Sequence, residues 1–236
     1  MIPMQLSTLK NSFLSLTLVA IASIPSGLLT ACSTSDSQNQ VSNPATTATV
    51  TNDKQPMTHG SGMMNHSMTM DLGPADANYD LRFIDAMIPH HQGAVEMAKE
   101  AQQKSKRPEI KKLADEIIKA QNREITQMKQ WRTAWYAKAG DKPMAYDAKM
   151  GHMMEMSSEQ MQAMMMNMDL GAADAEFDLR FINAMIPHHE AALVMAKDAL
   201  QKSQRPEIKT LAENIIKSQD AEINQMKQWR KAWYNK

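Results

Sequence analysis

Asp80-Leu81-Arg82-Phe83-Ile84-Asp85-Ala86-Met87-Ile88-Pro89-His90-His91 returns 98 residues later as Asp178-Leu179-Arg180-Phe181-Ile182-Asn183-Ala184-Met185-Ile186-Pro187-His188-His189. Extended outward, the match runs without a gap from Asp71–Tyr136 to Asp169–Tyr234, and 47 of 66 positions are identical. A duplication at this period makes each copy one structural unit. Within a copy the apolar pattern is helical. Phe83, Met87, His90, Ala94, Met97 and Ala101 step by three and four residues. A second stripe runs through Ile110, Leu113, Ile117, Gln121, Glu124, Met128, Trp131 and Trp135. Between them Lys104-Ser105-Lys106-Arg107 leads to Pro108, which suits the first turn of a helix, with Glu109 complementing the helix dipole. Two long helices joined by so short a turn pack antiparallel. One such hairpin leaves much of its apolar surface wet, and two hairpins bury each other. The expected fold is all-α: a four-helix bundle built from two duplicated antiparallel hairpins, with Met-rich arms and no strand. Trp131, Trp135, Trp229 and Trp233 fall near the ends of the second helices and are expected to close one end of the bundle.

The chain holds 23 methionines beside one cysteine, and 15 of the methionines lie in two polar stretches, Met57–Met70 and Met144–Met168. Thioether sulfur is a soft ligand that selects Cu(I) among common biological metals, and Ag(I) is comparably soft. Methionine has no proton to lose, so its affinity for metal depends less on pH than that of thiolate or imidazole. Methionine also packs irregular core gaps and adaptable surfaces. Thr58-His59-Gly60-Ser61-Gly62-Met63-Met64-Asn65-His66 is too polar for core, which favours metal binding there.

The N-terminus reads as an address. Lys10 precedes an apolar run from Phe13 to Ile24, too short to span a membrane. Leu29-Thr30-Ala31-Cys32 follows, similar to a bacterial lipobox, and Cys32 is the sole cysteine, which leaves no intrachain disulfide. Residues 1–31 are therefore expected to be a signal peptide, with Cys32 lipidated. Residues 32–56 are expected to be a tether, poor in anything to bury. A Met/His-rich arm follows over residues 57–70, hairpin copy 1 over 71–140, a Met-rich connector over 141–168 and hairpin copy 2 over 169–236. Acidic and basic residues balance at 26 each, so no basic block points to nucleic acid, and membrane contact is expected only through the lipid.

Chemistry concentrates at Met87-Ile88-Pro89-His90-His91 and its repeat. A proline inside a helix removes an amide donor and kinks or breaks the helix. At about 100° per residue, His90 and Met97 fall on one side of Met87 and His91 on the other. Met87, His90 and Met97 are thus expected to converge, with His91 directed to a neighbouring helix or solvent. Glu124 and Met128 come opposite this level, and Glu124, with Glu222 in copy 2, is placed to orient a ligating imidazole. The methionines here are equally readable as plain core.

The run Asp80–Ala98 resembles the signature of the CopM-like family, exported Met/His-rich helical proteins with a ferritin-like bundle. The resemblance implies copper handling in the periplasm, with Cu(I), Cu(II) and Ag(I) as metals and copper resistance or homeostasis as the role. It carries Met87, His90, His91 and Met97 over as metal ligands, with Met185, His188, His189 and Met195 in copy 2. Copy 2 departs from the signature at Glu190 and Ala191, where copy 1 has Gln92 and Gly93.

The arms rest on ligand chemistry alone. The first offers Met57, His59, Met63, Met64, His66, Met68 and Met70. The connector offers Met150, His152, Met153, Met154 and Met156, then Met161, Met164, Met165 and Met168. Ser157-Ser158-Glu159-Gln160 reads as a helix start, so these last four are expected to form a thioether stripe at i, i+3, i+4 and i+7. Sequestration, transfer to a periplasmic sensor or copper exporter, and a metal-responsive adaptor all remain open. A ferritin-like oxidase wants Glu-x-x-His pairs on facing helices, and none occurs. No nucleophilic triad or phosphate loop is present, and no enzymatic activity is expected.

Overall fold

A computed structural model of the chain describes residues 71–236. The expected signal peptide, Cys32, the tether and the first arm, with Met57, His59, Met63, Met64, His66, Met68 and Met70, lie outside the described residues. Five helices and one small sheet appear among those described: α1 (Tyr79–Lys104), α2 (Pro108–Trp135), β1 (Met144–Asp147), β2 (His152–Glu155), α3 (Ser158–Met165), α4 (Phe177–Lys202) and α5 (Pro206–Tyr234). None of these helices is long and apolar enough to cross a membrane.

The two hairpins, α1–α2 and α4–α5, are closed by the same local chemistry. The buried Ser105 side chain accepts a hydrogen bond from Arg107 N at 3.1 Å, and Ser203 accepts from Arg205 N at 3.1 Å. Pro108 and Pro206 then open α2 and α5 where no amide hydrogen is needed. Pro89 and Pro187 sit inside α1 and α4, yet each helix continues through them.

The core is built across the copies. One apolar group joins Met97 and Ala101 of α1 and Ile110 and Leu113 of α2 to Phe177, Phe181 and Met185 of α4 and Met226 of α5. The other joins Tyr79, Phe83 and Met87 of α1 and Met128 of α2 to Met195 and Ala199 of α4 and Ile208 and Leu211 of α5. The late half of α1 therefore meets the early half of α4, and the copies are related by a pseudo-two-fold axis. This corrects the expected placement of the tryptophans. Trp229 and Trp233 pack on the first group and Trp131 and Trp135 on the second, so one stacked pair lies at each end of the bundle. The antiparallel copies put each hairpin turn beside the other copy's open end. Arg107 lies 4.2 Å over Trp233 and reaches Asp178, and Arg205 lies 4.1 Å over Trp135 and reaches Asp80.

The connector differs from expectation, because it contains strands. β1 and β2 pair antiparallel, Met144 opposite Glu155 and Asp147 opposite His152, and Met156 N donates to Pro143 O at 2.7 Å. Four-residue strands are too short to show an alternating pattern in sequence. The hairpin is pinned to the bundle through Asp85. Its carboxylate accepts from Met144 N at 2.8 Å and from Arg132 Nε at 2.5 Å, while Arg132 also donates to Gly140 O and Lys142 O. Copy 2 has Asn183 at the position of Asp85 and, among the described residues, carries no such attachment; Arg230 Nη1 donates to Asn183 Oδ1 at 3.3 Å.

α3 starts at a full capping box. Gln160 N donates to Ser157 Oγ, and Ser157 N donates to Gln160 Oε1. It ends early, with Met166 left-handed at φ 47°. Met168 is therefore outside the helix, and the expected four-methionine stripe stops at Met165. α3 lies against α1 at Gly93, where a Cβ would stand 1.8 Å from the Met165 carbonyl oxygen. Only glycine permits that approach, and Ala191 occupies the matching position in copy 2.

Candidate metal centre

Four imidazoles gather at the middle of the bundle, all shielded from solvent. α1 and α4 each contribute an adjacent pair, and successive helical residues diverge by about 100°. One ring of each pair faces the opposite copy, and the other faces its own hairpin partner. The His90 and His188 rings stack across the pseudo-axis with centroids 3.9 Å apart. His91 Nε2–H donates to Glu124 Oε2 at 2.6 Å, and His189 Nε2–H donates to Glu222 Oε2 at 2.6 Å. His188 Nε2–H donates to the Met165 carbonyl at 3.0 Å.

These bonds fix the tautomers. In a neutral ring, donation from Nε2 leaves the lone pair on Nδ1. The Nδ1 atoms of His91, His188 and His189 are all buried and have no hydrogen-bond partner. A buried acceptor without a partner is costly. A carboxylate on one imidazole nitrogen and a free lone pair on the other is also the arrangement that prepares histidine for metal.

His90 differs. Its Nδ1 lies 2.9 Å from Met164 O and its Nε2 3.0 Å from His188 O. A neutral ring has one N–H, so it can satisfy only one of these carbonyls. Burial, reinforced by the neighbouring imidazoles, holds its pKa down at about 4. Burial, with His90 next to it, likewise pushes His188 well below the usual imidazole range. Both rings are neutral near pH 7, as metal ligation requires.

No three His, Cys, Asp or Glu side chains form a metal-sized group among the described residues. Soft side-chain donors in the buried core are thioethers. Met87, Met97, Met185 and Met195 are all buried, but they divide in an unexpected way. Met87 and Met195 share one core group with Met128 and Met164, and Met97 and Met185 share the other with Met226. The expected convergence of Met87, His90 and Met97 is thus not what the structure places together. Ten residues of helix separate the two methionines by about 15 Å, and the antiparallel crossing pairs each with the other copy. Met87 stands one turn before His91, and Met185 one turn before His189.

The connector's candidates disperse. Met150, His152, Met154 and Met168 are exposed, and Met153, Met161 and Met165 are half-buried. Met156 and Met164 are buried and line a cavity together with Met144, which ligand reasoning from sequence passed over although it lies in the same Met-rich stretch.

The family described as "Domain of unknown function (DUF305)" matches twice, over residues 26–132 and 80–230. The chain belongs to the DUF305 family. Its solved relatives include CopM in three metal-bound forms. The Cu(I)-bound form is 41% identical with a TM-score of 0.52, the Cu(II)-bound form 44% with 0.53, and a silver-soaked form 40% with 0.52. Each alignment covers 66% of this chain and 97% of CopM. This DUF305 chain is thus CopM-like over its helical region. A protein of Acanthamoeba polyphaga mimivirus, "Uncharacterized protein L153", is 47% identical over 49 residues, which are 21% of this chain and 32% of that protein. The match spans about a third of that relative's length.

Proposed function

We propose that this DUF305 protein binds copper outside the cytoplasm, holding Cu(I), with Ag(I) as a surrogate and Cu(II) on histidine. Its role in this reading is copper buffering or transfer in resistance and homeostasis, without catalysis. The observation that carries the reading is the set of three buried imidazoles whose Nε2 atoms are held by hydrogen bonds while their Nδ1 atoms have no partner. The copper- and silver-bound forms of CopM support it. His91 and His189 are the leading ligands, oriented by Glu124 and Glu222, with methionine sulfur completing a soft donor set. Exposed Met150, His152 and Met154 and the methionines of the first arm are proposed as weaker, exchangeable donors. The leader and lipobox favour delivery to the periplasm and anchoring through Cys32.

The test is an anaerobic Cu(I) titration against a competing chelator, with native mass spectrometry of the parent and of the His91→Asn/His189→Asn variant. The parent should hold several Cu(I) ions and ignore Mg(II) and Ca(II), which want oxygen cages. The variant should lose the tightest of them. At most one Cu(I) at saturation, or an unchanged variant, would overturn the reading.

A further inference from the structure

Three methionines help to line a cavity of about 380 Å³ between the β-hairpin, α3 and α1. They are Met144 at the start of β1, Met156 just after β2, and Met164 in α3. Met156 and Met164 are buried and Met144 is half-buried. We propose that Met144, Met156 and Met164 form a separate thioether site for a soft monovalent cation, Cu(I) or Ag(I).

Each methionine reaches the cavity from a fixed backbone position. Met144 N donates to Asp85, which is itself held by Arg132. Met156 N donates to Pro143 O and ties the two strand ends together. The Met164 carbonyl faces His90 Nδ1 at 2.9 Å. Short, pinned segments hold the three Cα positions, while the unbranched side chains stay free to turn sulfur inward. Thioether donors on elements fixed in this way suit a soft ion and offer little to Mg(II) or Zn(II).

The charges around the cavity tolerate a cation. Arg82 lines it, but its guanidinium is spent on Leu72 O, Pro74 O and Asp76. Asp71 and Glu159 also line the cavity and add negative charge. The cavity that the three methionines help to line has room for an ion. The site has no imidazole, so protons do not compete for its donors. It therefore differs from the bundle centre, although it rests on the same reading that this chain handles Cu(I).

The experiment is an Ag(I) titration of the full chain carrying methyl-13C methionine, followed by methyl NMR. Ag(I) should shift the Met144, Met156 and Met164 methyl signals together, saturating at one ion for the three. Independent behaviour of the three signals would overturn the proposal in the parent protein itself. Native mass spectrometry of Met144→Leu/Met156→Leu/Met164→Leu supplies the second readout. Leucine keeps volume and apolarity, so packing survives the exchange. The variant should bind one Ag(I) fewer than the parent, and His91→Asn/His189→Asn should keep that ion. An unchanged count in the leucine variant refutes the thioether site. An unchanged count in the histidine variant refutes the bundle reading and leaves this site standing.

Discussion

His90 should make the metal-free protein acid-sensitive in a way that one substitution removes. In the unfolded chain an imidazole titrates near pKa 6.5, and in the fold burial holds His90 at about 4. Above about pH 6.5 both states are neutral and the full stability is present. Between these values the unfolded state takes up a proton that the native state refuses, so stability falls as pH falls, and the loss levels off below the folded pKa. The complete gap corresponds to about 3 kcal/mol, and about 2.5 kcal/mol of it should be lost by about pH 4.5. Other groups titrate too. Asp85 works in the opposite sense, because burial raises its pKa even against the Arg132 ion pair, so acid relieves it. His188 adds to the loss in the same direction as His90. A difference measurement reports His90 together with the part of the His188 shift that depends on it. Urea unfolding of chelator-treated parent and His90→Asn is followed at about pH 7.5 and about pH 4.5. Asparagine does not titrate, and it retains an amide that can donate to Met164 O. The parent should lose about 2 to 3 kcal/mol more than the variant between the two conditions. Equal losses would show that His90 is not held neutral by the fold, and the burial argument would fail.

Gly93→Ala should push α3 off α1, because the new Cβ meets the Met165 carbonyl, at a cost of about 1–3 kcal/mol in thermal unfolding; Ala191→Gly should cost only about 1 kcal/mol of helix propensity. Glu124→Gln should keep the fold and weaken the tightest Cu(I) by roughly tenfold in chelator competition, since the imidazole loses its charged partner. Ser157→Ala should remove the capping box and destabilise α3 by about 1 kcal/mol, read as faster amide exchange over residues 158–165 with no change in the four long helices.

The hairpins were legible because each long helix carries an uninterrupted apolar stripe, and a stripe that ends at Ser105-Lys106-Arg107-Pro108 announces its own turn. The pairing of the copies was not legible, because both parallel and antiparallel docking bury the same stripes. What chooses between them is visible only in three dimensions. Arg107 on Trp233 and Arg205 on Trp135 need each turn beside the other copy's end, and the Met97–Met185 and Met87–Met195 groupings follow from that choice. The same choice explains why angular reasoning within one helix brought His90 towards Met87 and Met97, when His90 instead stacks on His188. The connector was hidden for a different reason. Its strands are four residues long, and its attachment depends on Asp85, a side chain whose partners lie 47 and 59 residues away. The two copies hold the signs of this asymmetry in plain view, Asp85 against Asn183 and Gly93 against Ala191. Both differences act in one direction. An acidic anchor and a bare Cα admit the Met-rich connector to copy 1, while the amide and methyl at the matching positions of copy 2 offer it neither. Duplication thus supplied two histidine pairs that meet at one centre, and two side-chain differences fix which copy the connector docks on, with α3 carbonyls reaching His90 and His188.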